Sequence, residues 1–106
     1  MPKYYKLVVF VPTPQLELVR QAICAAGAGK MGSKYDQCTF TTSGIGSFRP
    51  LAGARPRIGR IGRIARVKES RLETIVAQKV LKKVIAALKK NHPYEEPAFD
   101  LYPLIF

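Results

Sequence analysis

The side chains best suited to chemistry in this chain lie in one short stretch, His92-Pro93-Tyr94-Glu95-Glu96-Pro97. His92 is the sole histidine, and two carboxylates follow within four residues. One imidazole with Glu95 and Glu96 could supply three ligands to a divalent cation such as zinc or copper. The spacing matches no helical or finger-type site, and the prolines can aim the two glutamates apart. The competing reading is structural: Pro93, Tyr94 and Pro97 stiffen a turn, and His92 and Tyr94 fix it and a contact between subunits. No activated nucleophile accompanies the histidine, so no residue is assigned a catalytic role.

A second candidate runs from Gly44 to Arg66. Backbone at Gly44 and Gly46 can approach a phosphate closely, Ser47 and Phe48 follow, and Arg49 can pair with an anion bidentately. Beyond it, Arg55, Arg57, Arg60, Arg63 and Arg66 crowd the chain. The whole sequence carries 18 Lys and Arg against 7 Asp and Glu, a formal charge of +11, and much of that excess sits between Arg49 and Arg71, opposed only by Glu69. Such a field attracts small anions, nucleic acid or an acidic partner. The plain alternative is a solvated or internally paired charge run on a glycine-shaped β-arm. A Walker-type phosphate loop is absent. RNA-binding sheets need exposed aromatics on their central strands; here the first strand's apolar residues look committed to burial, and Tyr35 is the obvious candidate on the second.

The elements that must position these groups follow from periodicity. Residues 3–11 form a predicted strand, dense in β-branched and aromatic residues and apolar enough to be central. Thr13-Pro14 supplies an N-cap and a first-turn proline, and Leu16, Val19, Ala22, Ile23 and Ala26 recur at helical spacing up to Gly27-Ala28-Gly29. Residues 35–42 alternate as a half-exposed strand with Cys38 and Phe40 on one face. Ile58, Ile61 and Ile64, like the arginines, repeat every three residues, which fits neither a strand nor a helix; a long twisted arm over 43–66 is expected. A strand over 72–77, an amphipathic helix through Val80, Leu81, Val84, Ile85 and Leu88, and a last strand over 98–105 complete the order. The prediction is one α+β domain over residues 1–106: a ferredoxin-like βαββαβ antiparallel sheet with two helices on one face and a long β2–β3 arm. The first and third strands would be central, and the helix-free face would need a partner chain.

Apolar residues make up 47% and charged residues 24% of the chain, in keeping with a globular class. Cys24 and Cys38 fall among apolar neighbours without metal-type spacing, so buried free thiols are expected. No run approaches membrane-spanning length and none resembles a secretory leader, which points to a cytoplasmic, non-membrane protein.

Several of these segments form a series similar to a known family. Val11-Pro12, Gly27-Ala28-Gly29, Tyr35-Asp36-Gln37-Cys38-Thr39-Phe40, Gly44-Ile45-Gly46-Ser47-Phe48-Arg49-Pro50 and His92-Pro93-Tyr94-Glu95-Glu96-Pro97-Ala98 resemble the PII/CutA-like insert domain of the YqfO/YbgI proteins, relatives of the NGG-interacting factor. The glycine series and the His-Pro turn together are specific, and the match spans essentially the whole chain. CutA proteins carry a similar turn before their last strand. The resemblance implies a ferredoxin-like fold, frequently a trimer, with ligands at subunit clefts; in PII-like proteins the connection between the second and third strands is the effector loop. It does not carry over the paired metal ions of the longer proteins, whose ligands have no counterpart here. The arginine ladder is denser than the family pattern.

The reading is therefore a non-enzymatic regulatory module. It would assemble as a homo-oligomer, with a trimer favoured, and bind a small anionic ligand, a divalent metal ion or a protein partner. Gly44 to Arg49 would form one wall of its cleft, and His92, Tyr94, Glu95 and Glu96 the other. A basic nucleic-acid or polyanion binder ranks second, and a metal-dependent hydrolase third.

Overall fold

The computed structural model describes residues 2–105. Strand β1 (Tyr4–Pro12) leads through a 3-10 turn at Thr13–Gln15 into helix α1 (Leu16–Ala25). Strands β2 (Thr39–Phe48) and β3 (Ala65–Ala77) follow, then a 3-10 turn at Gln78–Val80, helix α2 (Leu81–Asn91) and strand β4 (Phe99–Pro103). The four strands form one antiparallel sheet in the order β2-β3-β1-β4. This is the ferredoxin-like α+β arrangement, with β1 and β3 inside and β2 and β4 at the edges. Pro103, which cannot donate to a ladder, stands on an edge strand as expected.

Alternation sorts the sheet into two faces. Leu7, Val9 and Val11 of β1 and Leu72 and Val76 of β3 are fully buried, and they cluster with Val19 and Ile23 of α1 and Val84 and Leu88 of α2. Each helix thus buries one apolar stripe on the same side of the sheet. Lys82, Lys83, Lys89 and Lys90 occupy the wet side of α2. The opposite face carries Phe10, Phe40, Gly44, Gly46, Glu69, Arg71 and Tyr102, where Phe40 is 67% and Tyr102 49% exposed.

Several expectations change in the structure. The β2–β3 hairpin is longer than its apolar pattern suggested, because strand pairing runs on from Thr39↔Thr74 to Phe48↔Ala65. Beyond the helices it has no core to cover, so its residues need not alternate. Only 49–64 is irregular. There the period of three is a succession of turns: Gly59 (φ +93°) and Gly62 (φ +79°) take the left-handed conformation that other residues resist. The Gly62 N–H donates to the Pro50 carbonyl at 2.7 Å and closes the loop. Thr13 does not cap a helix; its hydroxyl is within 3.1 Å of the Ser70 hydroxyl on β3. Both cysteines are free, but Cys24 is only half-buried and Cys38 is exposed, because Cys38 precedes β2 instead of lying inside it.

After α1 the chain is fixed by a pair of glycine contacts. The Gly29 N–H donates to the Ile75 carbonyl at 2.8 Å, and its own carbonyl accepts from Cys38 N–H at 2.9 Å. Gly29 has φ +80°, and a Cβ there would stand 2.7 Å from the Cys38 nitrogen. Gly29→Ala therefore combines a strained φ with a backbone collision and is expected to cost about 2 kcal/mol. The check is the urea midpoint at unchanged slope; a midpoint equal to the parent's would contradict this account.

Candidate functional site

The turn before β4 is built around the imidazole. Helix α2 ends at Asn91, and His92 (7% exposed) takes extended backbone, its N–H donating to the Leu88 carbonyl at 2.9 Å. Pro93 then makes further helix impossible. The ring of His92 sits 2.7 Å through Nε2 from the carbonyl oxygen of Phe10 on β1. Its Nδ1 accepts the backbone N–H of Tyr94 at 3.1 Å. These two contacts fix a neutral ring protonated on Nε2. Burial lowers the His92 pKa, against smaller opposing effects from the Phe10 carbonyl and from Glu69.

Tyr94 is carried by this arrangement toward the helix-free face of the sheet. Its hydroxyl donates to Glu69 Oε2 at 2.9 Å, and its ring meets Phe48 edge-on with centroids 5.6 Å apart. Burial, reinforced by the Glu69 carboxylate, pushes the Tyr94 pKa upward, so the phenol remains a donor. Glu69 is 9% exposed and faces a glycine pair on β2, Gly44 directly and Gly46 diagonally. A Cβ at Gly46 would overlap the Glu69 carboxylate, so the glycine makes the room that the acid occupies.

Over this floor the loop 49–58 arches toward the turn. Between them lies a cavity of about 740 Å³, lined by Phe10, Gly46, Ser47 and Phe48 of the sheet, by Arg49 and Arg57 of the loop, and by Glu69, Tyr94, Glu95 and Glu96. That volume falls within the roughly 300–1,000 Å³ usual for small-molecule sites. Glu95 Oε1 accepts the backbone N–H of Arg55 at 2.9 Å and so joins the two walls. A smaller cavity of about 260 Å³, next to Gly44 and Arg71, shares Phe10, Gly46 and Glu69.

The two segments singled out in the sequence therefore meet, and they do so within a single chain. Gly46, Ser47, Phe48, Arg49 and Arg57 line the cavity with Tyr94, Glu95 and Glu96 opposite; Gly44 borders the smaller one. Arg55, Arg60, Arg63 and Arg66 stand outside the cavity lining, all exposed. Pro93 and Pro97 flank the turn. His92, Glu95 and Glu96 are not gathered into a ligand set: both ring nitrogens are engaged by backbone, Glu95 holds Arg55, and the described residues contain no group of three or more His, Cys, Asp or Glu placed to share a metal ion.

Glu69 and Phe10 are the site residues that sequence reasoning missed. The signal for Glu69 was its isolation as the one acid in a basic run, facing two glycines.

Comparison with known proteins bears on this geometry. No protein-family model matches the chain. Over 100 residues it is 52% identical to the GTP cyclohydrolase 1 type 2 homolog of Halalkalibacterium halodurans, an alignment covering 94% of this chain and 27% of that protein. The homolog of the same name from Bacillus subtilis is 52% identical over 93% of this chain and 26% of its own length. The crystal structure of a Bacillus cereus protein related to NIF3 superposes with a TM-score of 0.83 at 45% identity, covering 97% of this chain and 26% of that one. The chain is a homologue of that segment. It spans about a quarter of the length of these relatives. CutA of Archaeoglobus fulgidus, a periplasmic divalent cation tolerance protein, has a TM-score of 0.68 at 14% identity over 95% of this chain and 83% of its own. That likeness is one of fold, and the segment is thus CutA-like, in agreement with the resemblance carried by the glycine series and the His-Pro turn.

The imidazole gives a pH prediction with a definite sign. A histidine whose folded pKa lies below its unfolded value of 6.5 takes up its proton more readily in the unfolded chain. Its contribution is complete above pH 6.5 and is lost as the pH falls toward the folded value. Unfolding free energy should therefore decline between pH 7 and pH 5, and His92→Gln should flatten that decline while being less stable at pH 7. Denaturant titrations across the window provide the measurement; parallel curves for both proteins would contradict it.

Proposed function

We propose that the chain is a non-enzymatic regulatory module that binds a small anionic ligand in the cavity between the 49–58 loop and the 94–96 turn. The observation that carries this reading is the cavity itself, with Arg49 and Arg57 exposed on its loop wall and in no ion pair among the described residues. Free guanidinium groups at a concave mouth are suited to phosphate or carboxylate. A binding role rather than a catalytic one is supported by His92, whose two nitrogens are both committed to backbone.

The module would act as a homo-oligomer, with a trimer favoured by analogy with CutA-like folds. Phe40 and Tyr102 stand exposed on the sheet face that no helix covers, and both edge strands are open to pairing among the described residues. Phe40→Glu is expected to shift the chain toward monomer in light scattering at micromolar concentration. A parent that is already monomeric there would remove the oligomer from this reading.

Ligand binding is tested by calorimetry with inorganic phosphate and glutarate. Each charge-assisted hydrogen bond contributes about 1.5–3 kcal/mol, so replacing Arg49 and Arg57 together by Ala should weaken binding at least ~10-fold. Binding that survives the double replacement, or no binding of either anion by the parent, counts against the cavity as an anion site.

A second reading has its own observation. Arg55, Arg57, Arg60, Arg63 and Arg66 are all exposed, and no hydrogen bond or ion pair of their side chains is found among the described residues. A surface of this kind fits a polyanion such as nucleic acid. Its affinity would fall with salt by a slope of roughly 0.7–0.9 per phosphate contacted, and Arg57, Arg60 and Arg63 replaced together would abolish it. Salt-independent binding excludes this reading.

A further inference from the structure

The floor of the cavity is charged opposite to its loop wall. Glu69 is nine-tenths buried and receives one hydrogen bond among the described residues, from the Tyr94 hydroxyl. An ionised carboxylate can accept about four. No Lys or Arg of the described residues pairs with it: the neighbouring Arg71 guanidinium lies 5.8 Å from the centroid of the Phe10 ring and its Nε is 3.4 Å from Glu73. Glu69 therefore lines the cavity with unused acceptor capacity, in a setting where a buried charge calls for an opposite one.

Its surroundings select what kind of donor can approach. Tyr94 meets the carboxylate through its hydroxyl, Phe48 packs edge-to-face on Tyr94 in the same cavity, and aromatic faces attract organic cations. Glu95 and Glu96 extend the same sign along the turn wall, whereas Arg49 and Arg57 face them from the loop. A simple anion would satisfy the loop and leave Glu69 unanswered. A simple cation would satisfy Glu69 against the field of a chain with formal charge +11. A ligand with both poles answers both walls.

Resting on the cavity as the binding site, we propose that its ligand is a small zwitterion whose ammonium or guanidinium end meets Glu69 beside the Tyr94 hydroxyl, and whose carboxylate or phosphate end meets Arg49 and Arg57. Glu69 is the specificity-determining residue for the cationic end. Gly46 serves it by leaving the carboxylate its space.

The test is calorimetry on the full chain with three probes: L-arginine, agmatine, which lacks the carboxylate, and glutarate, which lacks the cation. L-Arginine should bind at least tenfold more tightly than either of the others. Glu69→Gln should weaken L-arginine at least tenfold and leave glutarate binding no weaker, since a repelling charge is removed from the cavity. Gly46→Ala, which displaces the carboxylate without removing its charge, should also weaken L-arginine, with folding of both variants confirmed by circular dichroism. Arg49 and Arg57 replaced by Ala should weaken L-arginine and glutarate but not agmatine. If glutarate equals L-arginine and Glu69→Gln changes nothing, the cationic pole is wrong while the anion site stands. If none of the three binds the folded parent, both fail. If L-arginine binds only after Arg60 and Arg63 are removed, the place belongs to an arginine of another copy, and the free-ligand proposal is overturned.

Discussion

One neutral imidazole holds the functional end of this molecule together. Phe10 gives its N–H to the Ala98 carbonyl at 3.1 Å, extending the pairing of β1 with the chain that becomes β4. Its own carbonyl is taken by His92 Nε2, and His92 Nδ1 in turn receives the Tyr94 N–H. A charged ring would present a donor to that N–H and could not keep both bonds. The neutral ring is thus a condition for the turn. The turn in turn sets Tyr94 against Glu69 and Glu95 against Arg55. A histidine that would elsewhere be a natural metal ligand serves here as a backbone clamp, because its lone pair is already used.

The two sides of the cavity differ in how firmly they are held. The floor belongs to central and edge strands in continuous register, and Glu69 and Tyr94 lock onto one another across it. The loop wall contains a single buried residue, Pro50, and leaves Leu51 62%, Ile61 49% and Ile64 61% exposed. Its anchors are few: Gly62 to Pro50, Ala54 to Leu51, Arg63 to Arg60 and Arg55 to Glu95. Segments with little buried apolar area and few internal bonds open most easily. In the proposed binding mode the floor is thus preorganised, and the arginines of the loop adapt to what it accepts.

Much of this fold was legible in the sequence, and the boundary of legibility has physical causes. Helices α1 and α2 announce themselves because each buries a regular apolar stripe, and strand β1 because Leu7, Val8 and Val9 are buried in succession. The outer half of the β2–β3 hairpin is a strand with nothing to bury. Its residues Ile45 and Lys68 are simply exposed, so their pattern carried no signal. Residues 49–64 misled in the opposite way, since their regular period of three records repeated glycine turns rather than one extended element. Thr13 looked like a cap because local sequence cannot show that Ser70 would lie beside it. In the site, the His-Pro turn and the glycine series were each visible, but their meeting within one chain depends on the sheet order. Glu69 was read as a weak counterweight to the surrounding arginines. Its burial is what changes its meaning, and burial is decided by Gly46 and Tyr94 on other strands and turns.

The charge distribution makes sense once burial is taken into account. Exposed arginines in water interact weakly with one another, since solvent and salt screen them. A strongly basic surface is therefore tolerable at Arg55, Arg60, Arg63 and Arg66. A carboxylate with little solvent around it is a stronger feature than its single charge suggests, because screening is poor there. In this chain the many charges of one sign are at the rim and the mouth, whereas the acid is at the floor. Under the proposed binding mode a net charge of +11 governs what approaches the molecule, and Glu69 governs what is retained once inside. That mode assigns attraction and selection to different residues at different depths. Loss of rim charge should slow arrival, and loss of the floor acid should shorten residence, because long-range fields act on encounter while desolvated contacts act on release.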